Sequence, residues 1–102
     1  MLLIKKLSGM IEEEIEDAKK YAKCALNHKA DNKQLADVFF TLANEELKHM
    51  SMLHTEVTKL IEKYRKENGE PPQTMLELYN YLHDMHIEKA SEVKGLLAMY
   101  QG

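Results

Sequence analysis

The sequence predicts an all-α protein, and three observations carry that expectation. The chain is rich in Glu, Lys, Leu, Ala and Met, with only four Gly and two Pro in 102 residues, a composition that favours helices. Helix breakers gather in just two places, NHKADNKQ at 27–34 and NGEPP at 68–72. Between them, apolar residues recur at helical rather than alternating spacing. A chain of this length makes one domain with a modest core.

The breakers divide the chain into three helices. The first is expected over about residues 3–29. The polar stretch that follows offers Asp31 as an N-cap with Gln34 in capping-box position, so a second helix is expected over about 32–67. Asn68-Gly69 suits a left-handed C-cap, and Pro71 or Pro72 suits the first turn of a third helix, over about 72–100. Both connections are short, which predicts antiparallel pairing of the first helix with the second, and of the second with the third.

Charge and cysteine usage exclude several classes of function. A net charge of −3 gives no electrostatic reason to expect a nucleic acid or an anionic membrane surface as partner. Cys24 is the sole cysteine, so there is no intrachain disulfide and no Cys-x-x-Cys site. A lone thiol fits a reducing cytoplasm and a buried structural role. The opening MLLIKKLSGM lacks the apolar core and small-residue cleavage site of a signal peptide. No apolar run is long enough to span a membrane.

Two carboxylates break the pattern. With about 100° per residue, Leu35, Phe39, Leu42, Ala43, Met50, Leu53, Val57, Leu60, Ile61 and Tyr64 all fall within about 60° of Glu46. Glu46 is therefore expected at the centre of an apolar face, where a lone ionised carboxylate is costly. His49, three residues on, lies near the edge of that face. On the first helix Glu14 is placed likewise among Leu7, Met10, Ile11, Ala18, Tyr21 and Ala25, while Glu12, Glu13 and Glu16 turn outward. Counted from a turn near residue 31 at 1.5 Å per residue, Glu14 and Glu46 both sit roughly 22–26 Å from it. Two core-facing carboxylates and an imidazole thus reach one level of an antiparallel hairpin. That donor set suits a hard or borderline divalent ion such as iron, manganese or zinc.

The order of these residues resembles the ferritin-like di-iron superfamily: a Glu and, seven residues on, a Tyr (Glu14, Tyr21), then Glu-x-x-His on the next helix (Glu46, His49). The wording EELKHMSML is similar to the rubrerythrin and bacterioferritin half-motif. Bundle sites of this kind use one Glu from each of two helices and a Glu-x-x-His from each of the other two. This chain holds that set once, over about residues 10–54, and its third helix offers HDMHIEKASE instead of a second copy. The resemblance therefore implies that two chains pair to complete the site, as in the encapsulated ferritins. It implies a four-helix bundle made by dimerisation, two irons per dimer, and oxidation of ferrous iron by oxygen or peroxide. Tyr21 would then donate a hydrogen bond to a ligand. The alternative is a non-catalytic helical homo-oligomer with a structural or single-metal (zinc) site.

The third helix has candidates of its own. His86 falls in the stripe of Met75, Tyr79, Leu82, Ala90, Val93, Leu97 and Tyr100, within about a turn of the height of His49. Glu92 is level with Glu46 at the stripe edge. Either is a candidate extra ligand, or a hydrogen-bond partner that orients one. His28, His54 and His83 are expected at the surface or the core boundary, and the methionines as core filler. Gly95 inside the third helix costs about 1 kcal/mol relative to Ala, which suggests a close helix approach, most simply at a dimer contact.

Overall fold

Three long helices lie side by side in a rod of 56 × 19 × 17 Å. The computed structural model describes residues 2–102: α1 is Leu2–His28, α2 Lys33–Asn68 and α3 Gln73–Gln101. At 1.5 Å per residue the 36 residues of α2 alone span about 54 Å, so this helix sets the length of the rod. The expected boundaries hold to within one or two residues at each end.

Local chemistry explains the breaks, with one correction. Asn32, not Asp31, caps α2: its side-chain oxygen accepts from the backbone N–H of Leu35 at 3.2 Å. Its own N–H donates to the His28 carbonyl at 2.9 Å, so one residue serves both helix ends. Asp31 instead pairs with His28 at 3.2 Å. Gly69 ends α2 with φ at +81°, a backbone angle that favours glycine, and donates its N–H to the Arg65 carbonyl at 3.0 Å. Pro72 precedes α3 and offers its carbonyl to Met75 and Leu76 at 3.0 and 3.2 Å.

The packing order departs from the chain order. α1 lies between the other two helices: it pairs along its length with α2, and α3 packs chiefly against α1 rather than returning onto α2. The buried face of α1 carries Ala18, Ala22 and Ala25, all fully buried, and small side chains let a neighbouring helix approach closely. Ile11, Ile15, Val57 and Val93 are the largest fully buried side chains, drawn from all three helices into one core. The ion pairs Lys19–Glu92 and Lys89–Glu12 run from α1 to α3 on the solvent side; exposed pairs of this sort add little stability individually. At one end, Tyr100 of α3 stacks on Phe40 of α2 with ring centroids 5.0 Å apart.

This arrangement leaves one side of the α1/α2 pair without a covering helix. Met10 and Leu35 are 40% and 38% exposed, and Leu7, Tyr21, Phe39, Leu42, Leu53, Leu60 and Tyr64 are half-buried. These are the residues expected to surround Glu14 and Glu46. The total exposed area is 6658 Å², against about 5,900 Å² for a compact monomer of 11.9 kDa. Gly95, expected at a close helix approach, has nothing within 4 Å of where a Cβ would sit. Cys24 is free and half-buried rather than fully enclosed. Among the described residues no helix is long and apolar enough to cross a membrane.

Candidate metal centre

Glu14, Glu46 and His49 meet on the uncovered side of the α1/α2 pair. The antiparallel hairpin brings position 14 level with position 46, and the i, i+3 spacing on α2 adds the imidazole. One ligand atom from each of the three lies within 4.8 Å of the others. His49 Nδ1 is 3.4 Å from Glu14 Oε2 and 3.9 Å from Glu46 Oε2. Two atoms each about 2.1 Å from a common ion can be at most about 4.2 Å apart, and both separations fall under that limit.

The carboxylates are not at the centre of the chain's own core. The buried residues of α1 (Ile4, Ser8, Ile11, Ile15, Ala18, Ala22, Ala25) centre about 70° round the helix from Glu14. α2 is likewise buried to one side of Glu46, through Ala36, Ala43, Val57 and Ile61. The side chains of Glu14 and Glu46 keep 27% and 18% of their surface, and that of His49 52%. The apolar stripe read in the sequence is wider than three helices can cover, and the site sits in its uncovered half.

Electrostatics mark the site as under strain. The Glu46 carboxyl is pushed up to about 7, first by a hydrogen bond shared with Glu14, then by burial and by the Glu14 charge; His49 offsets part of this. Glu14 Oε2 is buried without a hydrogen-bond partner. Two carboxylates this close cannot both ionise cheaply unless a cation lies between them. A divalent ion would neutralise their two charges and give the orphaned oxygen a partner, so the residues present fit a metal.

The pH dependence follows from the raised Glu46 value. A carboxyl that titrates near 7 when folded and near 4.5 when unfolded binds its proton more tightly in the native state. Its stabilising contribution is full below about 4.5 and is lost as pH rises through about 7. His54 and His86, both held low mainly by burial, act oppositely and destabilise as pH falls below about 6.5. The Glu46 effect is therefore read as a difference. In metal-free protein, the melting temperature of wild type relative to Glu46→Ala should fall between pH 5 and pH 8. A difference that stays flat across this range would contradict the shared proton.

The other sequence candidates lie elsewhere. Glu92 is exposed and bonded to Lys19 at 3.2 Å. Tyr21 stacks on Phe39, with ring centroids 6.2 Å apart, on the uncovered face. His86 is buried on α3 and does not join the Glu14–Glu46–His49 group. Instead it lines a cleft with His54 and His83, two residues the sequence reading had left at the surface or boundary. The signal that could have found this cluster was His83-x-x-His86, the same i, i+3 spacing that flagged Glu46 and His49. Compared with known proteins, the chain matches no family model, no curated protein and no solved structure.

Proposed function

We propose that this chain is half of a two-metal carboxylate centre, completed when two copies pair into a ferritin-like four-helix bundle that oxidises ferrous iron. The observation that carries the reading is the convergence of Glu14, Glu46 and His49, with Glu14 Oε2 buried and making no hydrogen bond. Each chain would contribute two carboxylates and one imidazole, so two chains balance two divalent ions. The uncovered apolar stripe that flanks the site is the surface on which a second α1/α2 pair would lie. Bound iron would supply the redox chemistry. Glu14 and Glu46 would hold and charge-balance the ions, His49 would cap one ion per chain, and the surrounding apolar side chains would exclude bulk water.

A second reading is favoured by the donor count. Two carboxylates and one imidazole within a single chain supply three of the four ligands of one zinc, and a group from a second copy would close the fourth position. The site would then be structural, within a non-catalytic oligomer.

Metal analysis of protein purified without added metal separates the two. About one iron per chain, with oxygen-dependent formation of ferric iron from added ferrous iron, is the expected result. Zinc in place of iron, at up to about one per chain and with no oxidation above the buffer rate, would favour the structural site.

A further inference from the structure

About 80° round α2 from Glu46, a second constellation bridges α2 and α3. His54 Nε2 faces His83 Nδ1 at 2.6 Å. Tyr79 stacks on His83 with ring centroids 5.7 Å apart, and its hydroxyl lies 3.5 Å from the same His54 nitrogen. One helical turn along α3 from His83 is His86, 4% exposed, whose Nε2 is buried with no hydrogen-bond partner. All three imidazoles line one cleft of about 280 Å³, together with Ser51, Thr55 and Lys94. That volume is at the low end for an organic ligand and ample for an ion with a water or a small anion.

We propose that His54 and His83 form a second metal site in this cleft, for a borderline divalent ion that prefers nitrogen ligands, with Cu²⁺ the ion that imidazole pairs hold most tightly. Two nitrogens in adjacent corners of a square-planar Cu²⁺ site stand about 2.8 Å apart, whereas tetrahedral zinc needs about 3.3 Å. The two nitrogens of the His54–His83 pair are already about as close as cis ligands on one ion, and each ring turns by about 45° to aim its lone pair at that ion. His86 lines the same cleft with a buried, unpartnered Nε2, a group that a water carried by the ion would satisfy. An all-imidazole set selects against hard ions such as magnesium or calcium. Burial holds His54 and His86 below the ordinary histidine value, so both rings are neutral at neutral pH, the form that binds metal.

The site is independent of the carboxylate centre. His54 lies five residues beyond His49, which is about 140° round the helix and about 7.5 Å along it. An ion here would also join α2 to α3, the two helices that otherwise share little packing.

Cu²⁺ titration of chelator-treated full-length protein, followed by electron paramagnetic resonance, tests the assignment. Wild type should bind one tight Cu²⁺ per chain whose spectrum shows coupling to at least two nitrogens. Glu46→Ala should keep that signal. His54→Ala and His83→Gln should each weaken binding by about tenfold or more, since loss of even a residue that merely orients a ligand costs about that much; circular dichroism checks that they stay helical. If a histidine variant does not fold, a Cu²⁺-dependent rise in wild-type melting temperature that is absent from the other variant carries the same information. Binding that is unchanged in both histidine variants, or a nitrogen signal that disappears in Glu46→Ala, would overturn the proposal.

Discussion

Replacing Glu46 with Ala should abolish metal binding at the carboxylate centre, yet leave a protein that folds at neutral pH and is no less stable than metal-free wild type. The expectation rests on position and charge. A hydrogen bond with Glu14, then burial and the Glu14 charge, push the Glu46 carboxyl up to about 7, so at about pH 8 in the metal-free state the Glu46 charge forms at a cost. Removing Glu46 relieves that cost. It also removes one of only two anionic ligands, without which a single carboxylate and a half-exposed imidazole hold a divalent ion weakly. Thermal melts make the contrast visible. Wild type should gain melting temperature on adding iron, manganese or zinc, and Glu46→Ala should not, provided that the histidine cleft is first silenced by His83→Gln in both. Were Glu46 instead a structural hydrogen-bond partner, its loss would cost about 1–3 kcal/mol. A metal-free variant melting well below metal-free wild type, with no metal response in wild type, would therefore refute the centre.

How much of this was readable beforehand depends on which interactions are local. Helix ends are local, and Gly69 and the polar turn after His28 placed them to within one or two residues. The cap moved from Asp31 to Asn32 because two adjacent side chains compete for the same N-terminal amides, and sequence spacing does not separate them. The level of Glu14 and Glu46 is nearly local too. A short turn between two straight helices fixes which positions face each other, and the constant rise per residue does the rest. What periodicity could not supply was the third helix. Short connections suggested that α3 would return onto α2, but it packs chiefly against α1 instead. That choice turned His86 away from the carboxylates and toward His54 and His83, and it left Glu92 to Lys19. It also explains why the apolar stripe looked centred on Glu14 and Glu46. The stripe is wide enough for two neighbours, and the chain itself supplies only one.

The missing neighbour gives the second large effect. Wild type should run as a dimer by light scattering at micromolar concentration, and Leu42→Glu should run as a monomer that keeps its helical content. Leu42 lies one turn before Glu46 and is half-buried, yet it is absent from the apolar residues packed against the chain's own core. Within one chain a charge there stays near water and costs little. In a twofold pairing of α1/α2 faces it would be driven between helices, and an unpaired buried carboxylate costs several kcal/mol, enough to dissociate a standard interface of about 1,600 Å² in total. Because a twofold axis repeats every contact, one substitution acts twice. The dimer and the carboxylate centre should then fail together: Leu42→Glu, with Glu14, Glu46 and His49 intact, should bind metal at the centre far more weakly than wild type. A monomeric wild type with metal bound would remove the four-helix bundle from the reading and leave the single-chain zinc site. A Leu42→Glu variant that remains dimeric would show that the copies meet through some face other than this one.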